Sequence, residues 1–171
     1  MTERKNPVRN GILCAFLLMI ASVSAIEGME ATAFSDIFGH YEAIRQALIE
    51  DSTEGVAEHA RAISAAAARL ERDFTASAAG VDSGDAAAVK ELLPLIEERS
   101  MKVASAPDIA SIRTEFAVLT KPLVRYHALV QGSRPVVAYC PMEKRAWLQP
   151  DEPIGNPYAP NMLRCGEVVQ R

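Results

Sequence analysis

The sequence predicts an all-α fold: an antiparallel, up-down four-helix bundle closed by a proline-rich, irregular C-terminal cap. Three observations lead there. Between residues 30 and 131, apolar side chains recur at steps of three and four, the spacing that keeps one helix face toward a core. Short polar breaks separate these stripes, and short connections favour antiparallel neighbours. From 135 to 160 the chain carries six prolines, too many for a long helix, together with its only tryptophan, Trp147.

The first helix is expected over about 33–50. Its stripe is Phe34, Phe38, Tyr41, Ile44 or Arg45, and Leu48, with Ile37 beside it. Asp51-Ser52-Thr53-Glu54 offers a cap and an early acid for a second helix over about 53–78. That helix is marked by Val56, Ala60, Ile63, Ala67, Leu70 and Phe74. Its alanines, Ala62 and Ala65 to Ala68, allow close helix approach or serve as helix formers on a solvent face. Gly80 to Gly84 reads as a turn, with Ser83 or Asp85 as cap of a third helix over about 85–105 (Val89, Leu92, Leu93, Ile96). Pro107-Asp108 ends that helix and starts a fourth over about 108–131. The fourth stripe is Ile109, Ile112, Phe116, Leu119, Leu123, Tyr126 and Val130, and Gly132-Ser133 closes it. Pro94 and Pro122 fall inside two of these helices and are expected to kink or locally unwind them. Beyond them, Val136-Val137-Ala138-Tyr139 reads as a short strand.

Composition bounds the rest. The 171 residues are 49% hydrophobic and 23% charged, values of one ordinary globular domain. A net charge of −4 argues against a nucleic-acid binder that works through a basic face. The N-terminus reads as a secretory signal peptide over residues 1–25: Arg4, Lys5 and Arg9, then an apolar run from Ile12 to Ile20, then Val23-Ser24-Ala25 for cleavage. The apolar run is too short for a comfortable membrane span, so no span is expected in the mature form. Cleavage near Ala25 removes three basic residues and one acid, taking the charge from −4 to −6, and discards Cys14. The expected layout is a signal peptide at 1–25, the bundle at 26–131 and the cap at 132–171. The expected compartment is the periplasm or another exported, oxidising space.

The cap reads Tyr139-Cys140-Pro141-Met142, Ala146-Trp147-Leu148-Gln149, Ile154-Gly155-Asn156-Pro157-Tyr158 and Asn161-Met162-Leu163-Arg164-Cys165-Gly166. In these elements and their order it resembles the periplasmic domain of unknown function numbered 3347. The resemblance is densest over 139–166 and looser over the helices, through Tyr41-Glu42-Ala43-Ile44 and Phe116-Ala117-Val118-Leu119. It implies a helical bundle of the kind found fused to, or encoded beside, copper or silver efflux adaptors. It assigns no biochemical role. One departure is visible: where relatives follow Cys-Pro-Met with a small residue and a short glycine-containing stretch, this chain has Glu143-Lys144-Arg145.

The residues themselves leave two readings open. Cys140 and Met142 are one residue apart, and Met162 and Cys165 two. An extended Cys-Pro-Met puts both sulfurs on one side, and a helical turn does the same for Met162 and Cys165. Four soft sulfurs would select Cu(I) over hard cations. His40 and His127 are outer candidates, because the start of the first helix and the end of the fourth should lie together. His59 should then be a bystander. The other reading is a structural disulfide between Cys140 and Cys165, the first expectation for two cysteines in an exported protein. Bonded sulfurs favour that reading, and convergent unbonded ones favour the metal. Trp147, Asn156 and Tyr158 are expected to fix the cap on the bundle.

Two functions follow. One is an exported domain that binds copper as a buffer, chaperone or sensor near a metal efflux system, with an envelope efflux or adaptor protein as partner. The other is a disulfide-stapled interaction module of the envelope, with no metal and no catalysis. Catalytic motifs are absent: there is no Gly-x-Ser-x-Gly elbow, His-Glu-x-x-His helix or phosphate-binding glycine loop. A thiol-dependent enzyme with Cys140 as nucleophile and His127 as base is a third, weaker reading, and nothing in the spacing selects it over metal binding or a disulfide.

Overall fold

A computed structural model describes residues 1–2, 32–132, 134–151 and 153–171. The signal-peptide reading, with Cys14 and the cleavage site at Ala25, lies outside the described residues, as does Ser133 of the expected helix stop. The chain is mostly helical, and it also carries a small antiparallel sheet. The elements run α1 (Ala33–Ile49), α2 (Val56–Arg72), α3 (Ala76–Ala79), α4 (Ala86–Ser105), α5 (Ile109–His127), β1 (Val136–Cys140), β2 (Arg145–Gln149) and β3 (Glu167–Gln170). Among the described residues no helix is long and apolar enough to cross a membrane.

Local chemistry explains the helix ends. Thr32 caps α1 by accepting from the Ser35 backbone N–H at 3.3 Å, and Asp36 in the first turn suits the helix dipole. The second helix starts later than expected, at Val56. Gly55 holds a left-handed φ of 71° before it, and the Ser52 hydroxyl accepts from the Glu54 N–H rather than capping the helix. It also ends earlier, at Arg72, because Thr75 starts a separate turn of helix by accepting from the Ala78 N–H at 3.0 Å. Gly80 closes that turn at φ 71°. A side chain there would strike the Thr32 side chain at 2.8 Å, so only glycine lets α3 sit on the cap of α1. Asp108 caps α5, accepting from the Ser111 N–H at 2.8 Å. The fifth helix stops at His127, short of the expected 131, and the chain then pairs Val130 with Val81. Pro94 and Pro122 both lie inside helices.

Helix α2 packs on both α1 and α4, α4 packs on α5, and α5 also touches α1 and β2. Tyr41, Ile44, Leu48, Ile63, Leu92, Leu93, Ile96, Phe116 and Leu119 fill the interior. The same apolar cluster continues into the C-terminal segment through Val137, Ala138, Cys140, Trp147, Leu148 and Tyr158.

The expectation of an all-α chain with an irregular cap is corrected here. The cap is built on a three-stranded antiparallel sheet of order β2-β1-β3. Residues Val136 to Tyr139 do form a strand, extended by Cys140, and pair with β2 in the register Ala138↔Trp147. The prolines bracket the strands instead of interrupting them. Pro135 and Pro141 flank β1, and Pro150 follows β2. A missing N–H does no harm at those positions.

Candidate functional site

The cap is where the chemistry-bearing residues collect. Cys140 ends β1 and is fully buried. Cys165 lies in the turn before β3, where its N–H donates to the Met162 carbonyl at 2.8 Å. The two are joined in a disulfide with a Cα–Cα distance of 5.6 Å, which ties the end of β1 to the start of β3. Met142 stands in solvent at the tip of the β1–β2 hairpin, 71% exposed, and Met162 is half-buried. With both thiols in the bond, neither sulfur is a thiolate, the form in which cysteine binds metal. Among the described residues no group of three or more His, Cys, Asp or Glu side chains is placed to hold a metal ion.

The histidines do not converge on the sulfurs. His127 is fully buried with Nε2 2.6 Å from the Pro135 carbonyl, and its ring lies 6.2 Å from that of Phe34. Among the described residues its Nδ1 has no partner, and Nε2 donates to the carbonyl. Burial is the main cause holding its pKa below the ordinary histidine value. His127 therefore locks the end of α5 to the start of β1. His40 turns elsewhere. Its Nδ1 lies 3.0 Å from Nδ1 of His59, so His59 is a neighbour of His40 and not a bystander. The ends of α1 and α5 do meet, through the Phe34 and Tyr126 rings at 5.0 Å. His40 is six residues on from Phe34, about 240° around the helix, and faces α2 instead.

Trp147 is fully buried, its N–H donating to the Gln149 side-chain oxygen at 2.8 Å. That oxygen also accepts from the Gly155 N–H, and the Gln149 amide donates to the Asp151 and Pro153 carbonyls. Gly166, at φ 147°, passes so close that a side chain would meet the Trp147 ring at 2.6 Å. The Asn156 side-chain oxygen accepts from the Tyr158 N–H at 2.9 Å, and its backbone N–H donates to Leu163. Tyr158 meets Trp147 edge-on and donates its hydroxyl to the Ala146 carbonyl at 2.7 Å. The Tyr41 hydroxyl donates to Thr120 at 2.8 Å and accepts from the Leu148 N–H at 3.2 Å, while Thr120 donates to the Phe116 carbonyl. Burial raises the pKa of Tyr41 and Tyr158 well above the ordinary phenol value, so both are fixed as neutral hydrogen-bonding groups.

Two arginines complete the attachment, and sequence reasoning missed them. Arg45 pairs with Glu42 through Nε and Nη2 and donates from Nη1 to the Gly155 carbonyl at 2.6 Å. Arg113 donates from Nε to the Pro157 carbonyl at 3.0 Å, and from Nη2 to Leu48 and Asp51. Both are buried, and each holds one end of the 155–157 segment. The signal was present: Arg45 competed with Ile44 for a stripe position, and Arg113 follows Ile112 of the fourth stripe. A cation beside a core stripe points to a buried partner.

Between α5 and the β1–β2 hairpin lies a groove of about 700 Å³. Ala117, Val118, Val124 and Ala146 supply its apolar part, and Lys121, Arg125, Lys144 and Arg145 its rim, against one acid, Glu143. Lys121, Arg125 and Lys144 are exposed and make no ion pair among the described residues. The Arg145 guanidinium sits 5.2 Å over the Tyr158 ring, which fixes one wall. Lys144 holds a left-handed φ of 53° in the hairpin turn, presenting the Glu143-Lys144-Arg145 segment toward α5.

Compared with known proteins, the chain matches no family model, no curated protein and no solved structure.

Proposed function

We propose that this chain is a disulfide-stapled binding module of the cell envelope that takes an acidic, apolar-bearing protein segment into the groove between α5 and the β1–β2 hairpin. One observation carries the reading: four cations surround a single groove on a chain whose net charge is −4. A negatively charged molecule that gathers four cations around one groove selects an acidic partner, chiefly through encounter rate and register. The Cys140–Cys165 bond supports it by holding β1 and the hairpin as a prepared surface, which lowers the ordering cost of binding. The signal-peptide pattern and the cap's resemblance to a periplasmic family support an envelope setting. On the same reading the four long helices form an antiparallel up-down bundle that serves as scaffold. Copper binding through Cys140, Met142, Met162 and Cys165 would require reduction of the disulfide first.

The test is fluorescence anisotropy with a labelled peptide alternating Asp or Glu with Leu, beside a Lys-containing control. The acidic peptide should bind in a salt-sensitive way and the control should not. Lys121→Glu/Arg125→Glu turns two attractions into repulsions and should weaken binding by at least about tenfold. Equal binding of both peptides, or an unchanged affinity in the double variant, would remove the groove from the proposal.

A further inference from the structure

The geometry points to a second site, independent of the groove and of the cap sulfurs: His40 and His59 form a two-imidazole seat for a divalent transition-metal ion across the α1–α2 interface. The two Nδ1 atoms lie 3.0 Å apart, with ring centroids at 5.3 Å and planes inclined by 40°. Imidazole nitrogens bind such ions at roughly 2.0–2.1 Å, so two of them in adjacent coordination positions sit about 2.9–3.4 Å apart. The observed spacing falls inside that window. Turning each ring by roughly 40° from the hydrogen-bonded geometry would aim both lone pairs at one ion.

The surroundings suit it. Both rings are half-buried, so the helices fix their positions while solvent still reaches them. The His40 side chain is 34% exposed. Gly55 borders His59 without a side chain of its own; one placed there would touch the ring at 3.5 Å. When the metal takes Nδ1, each imidazole carries its proton on Nε2. The Asp36 carboxylate lies 4.0 Å from His40 Nε2, beyond hydrogen-bond reach, and is held by Arg69 at 2.9 Å; its negative charge beside the ring favours a bound cation. Without metal, the same two nitrogens share one proton in an N–H···N hydrogen bond. Two neutral imidazoles, with water completing the shell, favour Zn(II), Ni(II) or Cu(II) over hard cations. A site with two protein ligands on separate helices binds moderately and clamps α1 to α2.

The experiment uses the mature protein with its disulfide intact, which keeps both thiols out of the reaction. Zn(II) is titrated calorimetrically, thermal unfolding is followed with and without Zn(II), and a Cu(II) sample is examined by electron paramagnetic resonance. One equivalent should bind, raise Tm by about 3–5 °C near saturation, and show nitrogen hyperfine structure from two imidazoles. His40→Ala and His59→Ala should each abolish the Zn(II)-dependent Tm rise, and Asp36→Asn should weaken binding several-fold. His127→Gln, whose imidazole contacts the Pro135 carbonyl and the Phe34 ring instead of the pair, should leave the rise intact. Absence of binding in the wild type, or a Tm rise that survives either alanine variant, would overturn the site. A failed acidic-peptide experiment leaves it untouched.

Discussion

Removing the disulfide is the most informative perturbation of the cap. Cys140→Ala/Cys165→Ala opens a loop spanning 25 positions that contains β2, Trp147, Asn156 and Tyr158. Fixing a loop of that length in the unfolded chain is worth about 3.5 kcal/mol by the chain-entropy relation. The helices keep their own core, so the loss should fall on stability and not on helix content. Urea unfolding followed by Trp147 fluorescence and by far-UV circular dichroism measures it. With a slope of about 1.5–2 kcal/mol per molar urea, the midpoint should drop by roughly 2 M. Reductant should lower the wild-type midpoint by the same amount and leave the variant where it is. A shift under about 0.5 M, or an equal response of the variant to reductant, would refute the stapling argument.

Other consequences follow from single side chains. Arg113→Met removes hydrogen bonds to Pro157, Leu48 and Asp51 and should cost about 2–4 kcal/mol in the same urea assay. Arg113→Lys should recover little of it, since an ammonium cannot span those three acceptors. The pKa of His127 is lower folded than unfolded, so the unfolded chain takes up its proton first. Its contribution is complete above pH about 6.5 and declines as pH falls from there toward the folded value. Tm measured from pH 7.5 to 5 should therefore fall more steeply in the wild type than in His127→Gln. Gly166→Ala drives a methyl into the Trp147 ring at a left-handed φ and should cost about 2–4 kcal/mol, with a red shift of the Trp147 emission.

The helices were legible because each buries one stripe, and a stripe is a local pattern. Phe34 to Leu48, Val89 to Ile96 and Ile112 to Tyr126 lie in helices within a few residues of the expected limits. Helix ends were less legible: Gly55 and Thr75 set the limits of α2, and neither belongs to a stripe. The sheet was hidden for a physical reason. A cluster of prolines predicts a broken segment, whereas a proline beside a strand only trims it, so β2, between Lys144 and Pro150, carries no mark of its own. The third strand, Glu-Val-Val-Gln, is too short and too exposed to announce itself. At the site, the sequence left the Cys140–Cys165 bond and the sulfur ligand set as competing readings of the same four residues. The His40–His59 contact depends on which face α1 turns to α2, a relation between helices that no one helix's periodicity contains. The two arginines bind backbone carbonyls far along the chain, and carbonyls leave no mark in a sequence.

The Cys140–Cys165 bond decides whether the cap is a fixed binding surface or an open set of sulfur ligands. An anaerobic Cu(I) titration of the oxidised protein against a chromogenic chelator, with Trp147 fluorescence read alongside, tests this most directly. The expected result is that the chelator keeps its copper and Trp147 emission stays constant. Withdrawal of one equivalent of Cu(I) by the oxidised protein, lost in Cys140→Ser, would contradict the stapled surface and make the cap a metal site.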